Sequence, residues 1–278
     1  MTPAAFDRVG VVGLGLIGTS CALAIRRRGL ARHVIGVDVD PGAIAIALAR
    51  GAIDEGGVEY GALEGAALVI VATPPRAVVD AVCAAARAAG RDAIVVDVAS
   101  VKGAIVRALE AALPEGGRYV GGHPIAGTEE RGAAAGDDAL LVGRRFLIVP
   151  TTRSDAEALD TVYALARAMG MRPVLIDADV HDAVMAQISH VPYLLAVAAV
   201  NAAGEEALGL GGPAFEGFRR IAASPPALWE DICSQNRAAV LRALGWVRDE
   251  LDRVERALNE GEVLEILTAA RRRAGGGD

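Results

Sequence analysis

Val9-Gly10-Val11-Val12-Gly13-Leu14-Gly15-Leu16-Ile17-Gly18 decides the fold. A short apolar run stops at Gly13, and a helix-compatible segment, Ile17 to Arg28, follows it. The glycines read G-x-G-x-x-G. Alone the spacing is weak, but directly after a strand and at the mouth of a helix it predicts a dinucleotide-binding loop. Gly13 permits the tight turn, Gly15 lets backbone approach a pyrophosphate, and Gly18 lets helix and strand pack closely. A helix N-terminus offers unpaired N–H groups and partial positive charge to phosphates. Gly13, Leu14, Gly15, Leu16, Ile17 and Gly18 are therefore the expected phosphate-side contacts.

The next apolar run, His33 to Val37, ends at Asp38, 20 residues after Gly18. A carboxylate there can accept both ribose hydroxyls of adenosine and repels a 2′-phosphate. Neither Val39 nor Asp40 supplies a cation, so the expected cofactor is NAD rather than NADP. Asp40 reads only as the cap of a helix with Pro41 at its first position and Gly51 as its left-handed stop. Thr73-Pro74-Pro75 follows a later strand, where this fold lays its cofactor, and reads equally well as a turn that starts a helix.

Outward from this loop the pattern repeats. Ala67 to Ala72 and Ala93 to Val98 read as strands, Arg76 to Ala89 and Lys102 to Leu113 as helices. Ser154-Asp155-Ala156-Glu157 reads as a capping box opening a helix to about Met169, and Arg172 to Ile176 as a last strand. Apolar strands without alternation are buried on both faces, which predicts a parallel sheet built from βαβ units. After Asp177 strand signals vanish. His181 to Ala203 reads as a helix disturbed at Pro192, and Gly204 to Pro226 as a Gly/Pro-punctuated connection. Val240, Leu244, Val247, Leu251, Val254 and Leu258 form a helical stripe. The expected fold is α/β: a Rossmann-type parallel-sheet domain over residues 1–177, then an all-helical dimerisation domain over 178–278.

Composition excludes several classes. The 278 residues carry 35 acids against 28 bases, a net charge of −7, and only 4% aromatics. That is neither the basic stripe nor the stacking surface of a nucleic-acid binder. The most apolar stretch, Val191 to Ala203, is interrupted by Tyr193 and Asn201 and is shorter than the roughly 20 residues of a membrane span. No signal sequence is read at the N-terminus, and Cys21, Cys83 and Cys233 are too few and too scattered for a disulfide framework, so a cytoplasmic protein is expected. His33, His123, His181 and His190 lack metal-ligand spacing, and no metal is expected.

The chemistry is expected in Gly121-Gly122-His123-Pro124-Ile125-Ala126-Gly127-Thr128-Glu129. Histidine titrates near neutrality and can take a proton from a reacting hydroxyl. The glycines on both sides read as room for a ligand. Ser100, in Asp97-Val98-Ala99-Ser100-Val101-Lys102, reads as a group orienting His123 or as a helix N-cap, and Lys102 as a solvent-facing helix start. His181 reads as a surface residue near a helix N-terminus.

Here the sequence resembles the prephenate/arogenate (cyclohexadienyl) dehydrogenases of tyrosine biosynthesis. The matching residues are the Gly13–Gly18 loop with Asp38, D-x-x-S-V-K from Asp97, and G-H-P-I-A-G-T-E from Gly122. Ser189-His190-x-Pro192, then Arg220-Ile221-Ala222-x-Ser224 with Trp229, Asp231, Ile232 and Asn236, extend the match. The resemblance implies that His123 accepts the proton of the substrate's ring hydroxyl and that Ser100 orients it. It implies that Arg220 binds a substrate carboxylate, and that Thr128, Glu129, Ser189, His190 and Trp229 line the pocket. It also implies a homodimer through the helical domain. Tyr193 stands where relatives often carry a second histidine near the substrate, which leaves prephenate, arogenate and a 4-amino analogue open. No room is expected after Asp278 for a regulatory domain. The rivals are a β-hydroxyacid-type dehydrogenase, which uses a helical lysine where this chain has only Lys102, and a non-catalytic dinucleotide sensor.

Overall fold

The computed structural model describes residues 6–128 and 130–275. Its strands are β1 (Phe6–Val12), β2 (Ala31–Val37), β3 (Glu55–Gly57), β4 (Leu68–Val71), β5 (Ile94–Asp97), β6 (Arg118–Pro124), β7 (Arg145–Val149) and β8 (Arg172–Leu175). They form one sheet in the order β3-β2-β1-β4-β5-β6-β7-β8. The first six strands run parallel. β7 is antiparallel to β6, and β8 is parallel to β7. The helices on this sheet are α1 (Leu16–Arg27), α2 (Pro41–Ala49), α3 (Val78–Ala89), α4 (Gly103–Ala112) and α5 (Ala156–Ala168).

β4 shows why its sequence does not alternate. Leu68 and Ile70 enter one core with α1 and α5 residues, while Val69 and Val71 enter the other with α3 and α4 residues. Both faces are covered, so every position is apolar. The strand order reverses between β1 and β4, and ligands of such sheets bind in the crevice beyond the strand ends at that point.

Three strands escape the sequence reading. β3 is a three-residue edge strand, Glu-Gly-Gly, with no apolar signal. β6 hides behind its glycines and histidine, and the antiparallel β7 makes the sheet mixed rather than all parallel. The capping box also moves: Asp155, not Ser154, caps α5 by accepting from Ala158 N–H, while Ser154 Oγ donates to the Tyr119 carbonyl at 2.6 Å.

Beyond Asp177 the chain is helical: α6 (Ala178–Met185), a π-helical turn (Ala186–His190), α7 (Val191–Ala202), α8 (Glu205–Gly209), α9 (Pro213–Ala222), α10 (Pro226–Gln235), α11 (Arg237–Glu260) and α12 (Val263–Arg273). The disturbance expected at Pro192 is this π turn, which ends two residues upstream, where the missing proline N–H loosens the ladder. Gly261, at φ +79°, ends α11. The apolar stripe on α11 divides. Val240, Leu244 and Val247 pack on Ala186, Val191 and Leu195 within the chain. Leu251 and Leu258 are 56% and 62% exposed. The continuous run Ala178–Ala202 has 25 residues and its most apolar 18-residue window has a mean hydropathy of 1.6, long and apolar enough to cross a membrane by length and composition, so the sequence estimate of a shorter apolar stretch is corrected. Its His181, Asp182 and His190 side chains are nevertheless engaged inside the protein.

Candidate active site

The glycine loop joins β1 to α1 at the switch point. Gly13 has φ +87°, and a Cβ there would lie 2.7 Å from the Ala72 carbonyl oxygen. A Cβ at Gly18 would lie 1.8 Å from the Gly13 carbonyl, so the crossing of strand and helix tolerates no side chain. Gly15 faces open space and caps α1 with no side chain of its own, which leaves the first-turn amides to a ligand. Leu14 turns its side chain into the core and donates its N–H to Asp38 Oδ2 at 2.6 Å. Asp38 Oδ1 accepts from Asp40 N–H at 2.9 Å, so loop and second strand are tied through this carboxylate. Leu16 and Ile17 are half-buried in the first turn of α1, and Pro74 is exposed at the end of β4. Thr73 Oγ1 is buried there with no partner among the described residues. An open amide cradle, an acidic strand end and a buried hydroxyl lacking a partner together fit a dinucleotide.

β6, next to β5, presents His123. Gly121 and Gly122 do not make room for a ligand, as the sequence suggested. A Cβ at Gly122 would lie 2.6 Å from the Asp97 carbonyl oxygen and 2.8 Å from the Phe146 ring, and one at Gly121 would lie 3.0 Å from Val149 Cβ. These glycines seat β6 against its neighbours, whereas Gly127, further on, faces open space. His123 Nδ1 lies 2.8 Å from His181 Nε2. His181 Nδ1 lies 2.8 Å from Asp182 Oδ1. The Asp182 carboxylate also accepts the backbone N–H groups of Lys102 and Gly103, at 2.8 and 2.9 Å, and so closes the N-terminus of α4.

Three expectations fail here. His181 is fully buried, because α6 lays its first turn against α4 instead of facing water. Ser100 is not the cap of α4, which starts behind Lys102 and takes its anchor from Asp182. Ser100 is half-buried in the loop after β5, and the hydrogen bond shown for His123 goes to His181. Lys102 is likewise buried rather than solvent-facing. Its Nζ donates to Asp97 Oδ2 at 2.6 Å and to the carbonyls of Ala99 and Val101. Asp97 Oδ1 accepts from the Tyr119 hydroxyl at 2.6 Å.

The remaining candidates come from the helical domain. The π turn carries Ser189, half-buried, and His190, buried. His190 Nδ1 lies 3.2 Å from Asn236 Nδ2, which also donates to the Asp182 carbonyl at 2.7 Å. Trp229 stacks on Tyr193 at 3.8 Å between ring centres and meets the His190 ring edge-on at 6.1 Å. Arg220 is exposed in the last turn of α9. Thr128 is exposed beyond β6, its Oγ1 accepting from Glu130 N–H at 3.2 Å. Glu129 lies outside the described residues. Thus His123, His190, Tyr193 and Trp229 are brought into one region, with His181, Asp182 and Asn236 linking them. Of that link the sequence had marked Asn236 through the resemblance, whereas His181 read as a surface residue and Asp182 was missed.

Burial holds His123 well below the usual histidine range, and His181, Lys102 and His190 add to this. Burial lowers His181 more than its bond to Asp182 raises it. Burial takes His190 down to about 4. All three rings are therefore neutral at neutral pH, and His123 is able to accept a proton. In the unfolded chain the rings charge as pH falls through about 6.5. Below that value the unfolded state binds more protons, so stability is lost on acidification toward the lower folded values. The melting temperature is expected to fall between about pH 7 and about pH 5. An unchanged midpoint over that window would contradict neutral buried rings.

The family model for the prephenate dehydrogenase nucleotide-binding domain matches residues 21–175, and that for the prephenate dehydrogenase dimerization domain matches residues 177–269. The glycine loop precedes the matched residues, so its assignment stands on its own geometry. The chain is 30% identical to the cyclohexadienyl dehydrogenase of Zymomonas mobilis over 91% of this chain and 89% of that protein. Prephenate dehydrogenase from A. aeolicus, solved in complex with hydroxyphenyl propionate and NAD+, superposes with a TM-score of 0.90 at 31% identity, covering 96% of this chain and 97% of the other. Arogenate dehydrogenase from Synechocystis superposes with a TM-score of 0.82 at 30% identity, over 96% and 98% of the two chains.

Proposed function

The chain belongs to the prephenate dehydrogenase family, and from that premise we propose that it oxidatively decarboxylates prephenate to 4-hydroxyphenylpyruvate, arogenate to tyrosine, or both, with NAD as oxidant. The observation that carries the reading is His123, a neutral imidazole held through Nδ1 in β6, two strands from β4 in the sheet that carries the dinucleotide loop. Its free Nε2 takes the proton of the ring hydroxyl. When bound, NAD accepts the hydride released from the ring carbon that bears this hydroxyl. Loss of carbon dioxide then leaves an aromatic ring, which makes the step effectively irreversible. Gly13 to Gly18, Asp38, Thr73 and Pro74 are assigned to hold the dinucleotide.

Ser100 is assigned to help orient His123 once substrate is bound. Arg220 is assigned to a substrate carboxylate, which suits a planar guanidinium fork. Thr128, Glu129, Ser189, His190, Tyr193 and Trp229 are assigned to the pocket and its rim. The division at 177/178 falls at Asp177, which caps α6. The dimer is assigned to the C-terminal helices, where Leu251, Leu258, Leu264 and Leu267 are 56%, 62%, 73% and 57% exposed. The acidic chain is assigned neither nucleic acid nor membrane as partner, since His181, Asp182 and His190 in the apolar helical run are engaged in protein hydrogen bonds. Three unlinked cysteines suit a reducing cytoplasm. The β-hydroxyacid alternative loses its lysine, because Lys102 is sealed in its pair with Asp97.

The test is NADH formation with prephenate and arogenate side by side, repeated with NADP. Activity is expected with at least one substrate and NAD, and weaker activity with NADP. Activity with neither substrate would overturn the reading. In Arg220→Gln the KM of the active substrate is expected to rise roughly 10–10²-fold, the worth of a charge-assisted hydrogen bond, with a smaller change in kcat. An unchanged KM would remove Arg220 from the carboxylate.

A further inference from the structure

We infer that His181 and Asp182 are positioning residues that fix the tautomer of His123, so that its Nε2 presents a lone pair to the substrate hydroxyl. The inference rests on the reading of His123 as proton acceptor and adds what makes that nitrogen the acceptor. Backbone N–H groups only donate, and Lys102 and Gly103 aim theirs at the two oxygens of Asp182. Burial raises the Asp182 carboxyl, but the bonds from His181 and the two amides outweigh it and hold the group below its ordinary range. Asp182 is thus an ionised acceptor.

The ring nitrogen facing it, His181 Nδ1 at 2.8 Å, must carry a hydrogen. A neutral His181 then has a bare Nε2, which can only accept. His123 Nδ1, 2.8 Å away, must therefore donate, and its own Nε2 is left bare. The order of hydrogens is dictated from Asp182 outward. Were His181 charged, its Nε2–H would face His123 Nδ1 and the single ring hydrogen of His123 would move to Nε2, where it blocks the reaction. The hydrogen bond made by one ring nitrogen decides the state of the other. In the reacting step the substrate O–H bond breaks, an N–H bond forms at His123 Nε2, and the positive charge stays on a ring aligned toward Asp182.

The arrangement spans the two domains. His123 belongs to the sheet, His181 and Asp182 to α6, and Asp182 is anchored on α4. Asn236 at the start of α11 holds the Asp182 carbonyl from the other side. Docking of the helical domain therefore selects the reactive tautomer.

Nitrogen-15 NMR of the intact protein, labelled in its four histidine rings, reads the tautomer without substrate. His123 is expected to show a protonated Nδ1 and a bare Nε2, and a protonated Nε2 at neutral pH would overturn the inference. In His181→Phe, His123 is expected to shift toward the Nε2–H form. Its kcat is expected to fall roughly 10²-fold, with substrate KM and NAD affinity within about threefold of wild type. His181→Gln, whose amide oxygen can accept from Nδ1–H, is expected to recover much of the rate. A kcat in His181→Phe within about twofold of wild type would also overturn it. Absence of activity on both cyclohexadienyl substrates would instead defeat the functional reading, while the wild-type spectrum would still decide the tautomer.

Discussion

His123→Asn is expected to lower kcat by roughly 10²–10⁴-fold, the usual worth of a positioned general base. Asparagine is the informative replacement. Its amide nitrogen can stand near the place of Nδ1 and keep the bond to His181, while nothing replaces Nε2. The β6 backbone and its seat against Asp97 and Phe146 are set by Gly122, so the strand is undisturbed. NAD affinity is expected to stay within about twofold, since the dinucleotide cradle belongs to β1, β2 and β4, and substrate KM within about threefold. Pre-steady-state NADH formation and NAD titration separate the two effects. A kcat within about threefold of wild type would remove His123 from the chemistry.

Lys102→Met is expected to cost about 3–5 kcal/mol of stability, because it leaves the Asp97 carboxylate buried without its cation. Lys102 and Asp97 are both fully buried, with Nζ and Oδ2 2.6 Å apart. Burial lowers Lys102 more than Asp97 raises it, so the ammonium is retained only by the company of this carboxylate and two carbonyls. Tyr119 and the Ala99 amide also depend on Asp97 for an acceptor. Thermal melting is expected to drop by on the order of 10 °C. Adding Asp97→Asn, which removes the stranded charge but keeps an acceptor for Tyr119, is expected to restore part of the loss. A single variant as stable as wild type would mean that the pair contributes nothing to the fold.

Fold class was legible because it rests on local patterns. The β1–α1 glycine loop, the uninterrupted apolar runs of β4 and β5, and the Asp40-Pro41 helix start each carry their own signal within a few residues. Where the pattern was weak the reading failed. β3 is too short and polar to register, and β6 is masked by its glycines and His123. The antiparallel turn of β7 leaves no mark at all, since a buried strand reads the same in either direction. Ser154 lost the cap to Asp155 because Tyr119, distant in sequence, offered its hydroxyl a better acceptor.

The sequence by itself determined the α/β architecture, the dinucleotide loop with Asp38, the change to helices after Asp177 and the importance of His123. These depend on spacing within one element, or on one element following another. Only the tertiary structure decided the company that His123 keeps. It buried Lys102 and His181, both expected in water, because Asp97, Asp182 and His123 supply their partners where α4, α6 and the β5 end meet. It turned Asp182 into the anchor of that cluster and divided the α11 stripe between an internal core and an exposed half. For the buried polar groups the physical reason is common. A charged or polar side chain is stable inside when its partner is there, and partners 80 residues apart, such as Lys102 and Asp182, are brought together by the fold alone.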